Sequence, residues 1–163
     1  MVQHDEAPMV GAAQLAVHLG KRAGKHPSIA TVYTSAGTMM SVNNDHKKAK
    51  RYFDKARKIA KTHKDHGSLL ALSNAVASYA MGTAQWQSAD DEIRRAKEKI
   101  KTHGDREDRD RIIYARADLY YFQGQIHQSQ EEFTRLLKFA RRHKSAGFQA
   151  MAHCGLARNH LVL

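Results

Sequence analysis

The segment KTHKDHGSLLALS, residues 61–73, returns twice along the chain in altered form. It becomes KTHGDREDRDRII at 101–113 and RRHKSAGFQAMAH at 141–153. The histidine keeps its place each time, so His63, His103 and His143 stand 40 residues apart. A fixed interval in this range is typical of proteins built from repeated supersecondary units. The interval therefore predicts a helical array, since the sequence around it favours helix.

Three consecutive segments, 30–69, 70–109 and 110–149, align as repeats of this length. Residues of similar size fall at matching positions, small ones where two helices approach closely and larger apolar ones on the same helical face. Position 8 holds Gly37, Ala77, Ala117 and, in an unfinished fourth repeat, Ala157; position 20 holds Ala49, Ala89 and Ser129; position 24 holds Phe53, Ile93 and Phe133; position 27 holds Ala56, Ala96 and Leu136. The register predicts that Ala49, Ala56, Ala89 and Ala96 are buried between paired helices.

Each repeat is predicted to contain two antiparallel helices, A and B, joined by short turns. We expect helices A at about 28–42, 68–82, 107–122 and 147–162, and helices B at about 45–63, 86–103 and 126–143. Residues 1–27 form a separate region with one helix at 9–26, a helix B of a preceding or capping repeat. Its apolar face is predicted to consist of Ala12, Ala16, Leu19 and Ala23. These residues match the apolar face of the helix B at 45–63 when 37 is added to their numbers. Residues 28–163 then hold three repeats and the first helix of a fourth, which suggests part of a longer array.

Composition restricts the setting of the chain. Its 163 residues suffice for one domain with a substantial core. Cys154 is the only cysteine, which favours a reducing compartment and a cytoplasmic location. No apolar run reaches the roughly 18 residues of a membrane span, so we expect no membrane partner. Much of the net charge of +11 comes from residues 45–66, which contain nine Lys and Arg residues and three acidic residues.

The recurring residues resemble the tetratricopeptide repeat (TPR) family, whose pattern pairs small residues at positions 8 and 20 with an aromatic residue at position 24. Gly37, Ala49 and Phe53 match it in the first repeat, and Ala117 and Phe133 match it in the third. The repeat length of 40 is similar to that of a longer TPR variety, and the proline that the family has at position 32 is absent. The resemblance implies an all-α, right-handed solenoid of antiparallel helix pairs.

The resemblance also implies a binding groove lined by helices A at positions 2, 5, 9 and 12. Asn74, Arg111, Tyr114, Tyr121 and Arg158 are the candidate peptide-binding residues at these positions, because Tyr and Arg often anchor interfaces and Asn pairs with peptide backbone. We expect a protein or peptide partner with acidic groups. Some TPR proteins bind the C-terminal carboxylate of a partner with a clamp of basic and amide side chains. We do not expect such a clamp in this chain, because Arg111 alone has a suitable charge among the clamp positions.

Catalytic and metal-binding chemistry is not expected. The segment GKRAGKH at 20–26 is one residue too short for a phosphate loop and lacks the following Ser or Thr. We interpret Cys154 as a packed structural residue because cysteine is commonly buried. The three repeat histidines are interpreted as helix-terminal groups rather than metal ligands, since successive repeats would separate them by about 10 Å. The sequence therefore predicts a non-enzymatic interaction scaffold without a metal or other cofactor.

Two alternatives to the groove remain open. The basic helix at 46–64 could bind nucleic acid or another acidic surface, although its cations surround the polar arc and only Tyr52 offers a ring for stacking. Open ends of a solenoid could also support a homo-oligomer. We favour the groove, and do not expect nucleic acid as the main partner.

Overall fold

The structure, a computed structural model, describes residues 7–22, 26 and 28–162. All regular secondary structure in these residues is α-helical, which confirms the predicted all-α class. The chain divides into two compact units, Met1–Ala75 and Val76–Leu163, and each is described by itself below. Within the described ranges, no helix is both long and apolar enough to cross a membrane.

Eight helices are present in the described residues. They are α1 (Ala7–Arg22), α2 (Ile29–Val42), α3 (His46–Thr62), α4 (His66–Gly82), α5 (Trp86–His103), α6 (Arg106–Phe122), α7 (Ile126–Arg142) and α8 (Ala146–His160). The predicted ends of α2 to α8 agree with these bounds to within two residues. The first helix is described over Ala7–Arg22, residues 23–25 of its predicted span 9–26 lie outside the described residues, and His26 is not helical.

The six helices from α3 to α8 begin at a constant interval of 20 residues, at 46, 66, 86, 106, 126 and 146. The turn that precedes each start has the same form in all cases but one. Its middle residue is left-handed, with positive φ at Asn44, Lys64, Ala84, Gly124 and Lys144. The next amide donates to a carbonyl five residues back, as from Asp45 to Met40 at 2.9 Å. This hydrogen bond occupies a carbonyl that the helix end leaves without a partner.

The exception is the turn between α5 and α6. Gly104 there has an extended backbone, with φ −89° and ψ 148°. Asp105 caps α6 instead, because its side chain accepts a hydrogen bond from the Asp108 amide while the Asp108 side chain accepts one from the Asp105 amide. Such a capping box satisfies two free amides at a helix start. The 20-residue interval is thus kept by a different set of hydrogen bonds.

In the first compact unit, α2 packs against both α1 and α3. Ala49, Ala56 and Ala60 of α3 are fully buried, so their face of the helix approaches its neighbours closely. Gly37 of α2 lies against the ring of Phe53, and a Cβ at this glycine would come within 2.6 Å of the ring. Position 8 is therefore small because the aromatic side chain at position 24 takes up the space.

The predicted apolar face of the first helix is wrong. Ala16 and Leu19 are exposed, Leu19 by 52%, whereas Val17 and Gly20 are buried. The side chains of Ile29 and Val32 lie 3.7 and 3.8 Å from the place of a Cβ at Gly20. Val17 and Gly20 match buried positions of α3 that lie 36 residues later in the chain. The correct offset between matching residues of α1 and α3 is therefore one residue smaller than the expected 37. Ala12 and Ala23 lie outside the residues whose side chains are described.

In the second compact unit, α6 contacts α5, α7 and α8, and α7 also contacts α8. Phe133 of α7 is fully buried in a cluster with Ile113, Ala117, Phe148 and other apolar residues of the three helices. Ala89 and Ala96 of α5 are fully buried, as predicted. The small residues at position 8 are buried in the first three repeats, whereas Ala157 of α8 is exposed.

A buried polar pair joins helices of this unit. Ser129 of α7 donates a hydrogen bond to the Ala117 carbonyl of α6 at 2.8 Å and accepts one from the Asn159 amide of α8 at 3.0 Å. Both side chains are fully buried. Because a buried polar group is costly without a partner, these bonds specify how the three helices meet.

The fully buried Ala49 provides a test of the packing register. Ala49→Leu would add three carbon atoms to a contact that has no free space, and we expect a loss of about 1–3 kcal/mol in the free energy of unfolding. Chemical denaturation monitored by circular dichroism measures this loss. The matched control is Lys50→Leu, which makes the same residue at an exposed position of the same helix. Equal stability of the two variants would contradict the assigned register.

Candidate functional site

The five predicted groove residues fall in both compact units. Asn74 lies on α4 in the first unit, where it is half-buried. Arg111, Tyr114 and Tyr121 lie on α6 and Arg158 on α8, all in the second unit. Three of these four, Tyr114, Tyr121 and Arg158, are brought together, and Asp118 joins them.

Arg158 is the centre of this cluster. Its guanidinium donates to the Asp118 carboxylate at 2.5 Å, across the contact between α8 and α6. The same guanidinium lies over the Tyr121 ring, 3.8 Å from its centroid, and 5.8 Å from the centroid of Phe122. Stacking of this kind adds a cation–π attraction to the ion pair. Arg158 is therefore held in place by a carboxylate and two rings.

Tyr114 is connected to the same carboxylate. Its ring packs edge-on against Phe133, with centroids 5.9 Å apart. Burial, and then the nearby Asp118 carboxylate, raises the pKa of Tyr114 from 10 to about 12. Tyr114 therefore packs against the core and is still partly exposed at the surface.

Arg111 is not part of the cluster. It is exposed and forms ion pairs with Glu107 at 2.7 Å and Asp108 at 3.4 Å, both one turn earlier on α6. Exposed pairs of this spacing contribute only a few tenths of a kcal/mol. Its guanidinium can therefore exchange these acids for those of a partner at little cost.

Exposed apolar side chains border the cluster. Phe122, whose ring meets that of Tyr121 edge-on at 5.6 Å, is 50% exposed. We call Tyr114, Asp118, Tyr121, Phe122 and Arg158 the α6/α8 surface. Phe122 was not a predicted site residue, although its place beside Tyr121 at the helix end could have indicated it.

Cys154 differs from its predicted role. We interpreted it as a packed residue, but the thiol-bearing side chain is exposed on α8. Its position in the repeat is that of Tyr114, a predicted groove position. The preference of cysteine for burial was outweighed by its place on the face of α8 that the core does not cover.

The repeat histidines occupy helix ends, as the sequence predicts. His63 and His143 are the C-cap residues of α3 and α7, and His103 is the last residue of α5. All three are exposed. Throughout the described part of the chain, no three His, Cys, Asp or Glu side chains are placed to hold a metal ion.

The basic helix α3 presents exposed cations at Lys47, Lys50, Arg51 and Lys58. The predicted stacking ring, Tyr52, is only half-exposed and packs on Tyr33 with centroids 5.9 Å apart. Since single-stranded nucleic acid gains much of its affinity from bases stacked on open rings, this contact weakens the case for α3.

Comparisons with known proteins add no relative to this description. No protein-family model matches the chain, and no curated protein matches it either.

The Tyr114 hydroxyl gives a pH test of the cluster. Its pKa in the folded state lies above the usual value of about 10. The unfolded chain therefore loses this proton first, and the stability that Tyr114 contributes below pH 10 declines as pH rises toward 12. Tyr114→Phe should remove a component of tyrosinate absorbance that appears near pH 12, with circular dichroism confirming the folded state. Loss of a component near pH 10 would contradict the burial and the Asp118 contact.

Proposed function

We propose that this protein is a non-enzymatic interaction scaffold of the TPR type, which binds an extended peptide segment of a partner protein on the α6/α8 surface. The proposed partner segment carries acidic groups and at least one large apolar side chain. The proposal places the protein in the cytoplasm, where an exposed thiol such as that of Cys154 stays reduced.

The observation that carries the proposal is the contact between Asp118 and Arg158, which are 40 residues apart. Both occupy position 9 of their repeats. When equivalent positions of successive repeats meet, a stack of identical helix pairs is the simplest explanation. The contact thus supports a solenoid in which α6 and α8 line one surface.

Further support for the TPR type comes from packing at its pattern positions. Gly37 lies against Phe53, and Ala117 belongs to the same buried cluster as Phe133. These are the small and aromatic residues that the resemblance pairs. The constant 20-residue spacing of helix starts agrees with a repeat of two helices and 40 residues.

The chemistry of the surface favours a peptide with both acidic and apolar groups. Phe122 offers a half-exposed ring for an apolar side chain. Arg111 lies outside this surface but on the same face of α6 as Asp118, and it offers a guanidinium whose present partners are weakly held acids on its own helix. Arg158 is already paired with Asp118, so its contribution is to hold Tyr121 in a rigid position. Rigid aromatic groups bind with a small loss of conformational entropy.

Selection from a displayed library of random peptides tests this function. We expect selected peptides to be acidic and to contain an aromatic or large aliphatic residue. Their affinity, measured by calorimetry, should fall at least about tenfold for Arg111→Glu and for Phe122→Asp, while the melting temperature stays unchanged. Tyr114→Ala is expected to reduce affinity as well, but it also removes packing on Phe133 and should lower the melting temperature.

The control must lie on another face and must not disturb the core. Arg95 is unsuitable, because it pairs at 2.7 Å with Glu92, which is almost fully buried. Lys138 of α7 is exposed, and Lys138→Ala should leave peptide affinity unchanged. Equal losses in the Lys138 and Arg111 variants, or peptides without acidic residues, would refute the proposed surface.

Nucleic-acid binding by α3 is the competing function. For labelled single-stranded DNA we expect weak binding at low salt that disappears at physiological salt, since neutralised phosphates make affinity fall steeply with salt. Fluorescence anisotropy at both salt concentrations measures this. The opposite result would be tight binding at physiological salt that is lost when four cations are changed to Glu: Lys47, Lys50, Arg51 and Lys58. In that case α3, and not the peptide surface, would be the main binding site.

A further inference from the structure

A second candidate site lies elsewhere in the second compact unit, where α5, α6 and α7 line a half-open cavity of about 210 Å³. Its apolar wall consists of Ile100 of α5 and Ile112 and Ile113 of α6, each less than a tenth exposed. An apolar cavity of roughly 150 Å³ is known to hold benzene. The space in this protein therefore suits a body slightly larger than one aromatic ring.

The remaining walls of the cavity are all cationic. They are formed by the side chains of Lys97, Lys101, Arg109, Arg116 and Arg135. Two carboxylates pair with members of this set: Glu98 with Lys101 at 2.8 Å, and Glu132 with Arg116 at 2.5 Å and Arg135 at 3.9 Å. The five cations and two carboxylates leave an excess of three positive charges around the apolar cavity. This excess favours the binding of an anion at the opening of the cavity.

Lys97 and Arg109 carry two of these three excess charges, and the third arises because Arg116 and Arg135 share Glu132. In the described part of the chain, neither has a carboxylate oxygen within 4 Å, and both are exposed. They flank the isoleucines from two different helices, α5 and α6. A ligand with one negative group could therefore meet a cation from either side.

Arg116 provides a deeper donor. Its side chain is about one-fifth exposed and its terminal nitrogen is bonded to Glu132. Its guanidinium lines the cavity and shares the Glu132 carboxylate with Arg135, so the two cations together keep one positive charge in excess of that carboxylate.

We propose that this cavity binds a small amphiphilic anion, with an aromatic body on the three isoleucines and a carboxylate, sulfonate or phosphate group between Lys97, Arg109 and Arg116. This site is separate from the α6/α8 surface. At 3.6 residues per turn, Ile112, Ile113 and Arg116 lie on the face of α6 opposite to Tyr114, Asp118 and Tyr121. One helix thus carries the ligand cavity and the proposed peptide surface on its two sides.

A set of naphthalene probes of equal size and different charge tests the proposal. We expect 2-naphthoate to shift the backbone amide resonances of Ile100, Ile112 and Ile113 in a saturable way in heteronuclear NMR. The neutral 2-naphthylmethanol should bind at least about tenfold more weakly, and 2-naphthylmethylammonium and inorganic phosphate should cause no saturable shift at the same concentrations. Equal affinity of the acid and the alcohol, or no saturable shift with naphthoate, would overturn the proposal.

Matched variants separate local recognition from the effect of overall charge. The double change Lys97→Gln with Arg109→Gln should weaken naphthoate binding at least about tenfold. Lys138→Gln with Arg141→Gln removes the same charge from exposed positions of α7 that do not line the cavity, and should leave affinity within about twofold. Equal losses in the two double variants would show general charge attraction and refute the site. Arg111→Glu, which tests the peptide surface, should leave naphthoate binding in place.

Discussion

A recurring three-residue turn, which joins successive helices from α2 to α8 everywhere except between α5 and α6, is the constraint on which the rest of the structure depends. Its left-handed residue is followed by an amide that closes the turn on a carbonyl five residues earlier. From α3 onward each helix and the turn after it together take 20 residues, and the two-residue turn after α5 keeps this total because α5 is one residue longer than α3, α4, α6 and α7. Every second helix then starts at the same place in the 40-residue register. Small residues recur at positions 8 and 20 of this register because the interval between helix starts stays at 20 residues.

Much of this fold could be predicted from the sequence, because apolar spacing and the recurrence of small residues are local properties. The ends of α2 to α8 and the burial of Ala49 and Ala96 are examples. The interval of 20 was not recognised, since its left-handed residues are Asn44, Lys64, Ala84 and Lys144 as well as a glycine. Gly124 and Asn44 indicate such a turn by their residue type, whereas Lys64, Ala84 and Lys144 are of types that seldom adopt positive φ.

The candidate site was less accessible to sequence reasoning. Periodicity indicated which side of α6 carries Tyr114 and Tyr121, but it could not indicate that Arg158 is paired with Asp118 or that Arg111 is paired on its own helix. Such pairings depend on rotamers and on neighbours that are distant in sequence. The cavity was missed for the same reason, since Lys97, Arg109 and Arg135 come from three helices and form no motif. For α1, a shift of one residue was enough to exchange the buried and exposed faces.

The order in which helices pack has a consequence for how quickly each unit forms. In the first unit α2 contacts α1 and α3, and in the second α6 contacts α5 and α7, so partners follow one another along the chain. Closing the loop between such neighbours costs little entropy. All-helical domains with contacts of this range have a relative contact order of roughly 0.07–0.12 and fold in microseconds to milliseconds. In the solenoid that we propose, any adjacent pair of helices can serve as the nucleus, and the next helix packs on a surface that already exists.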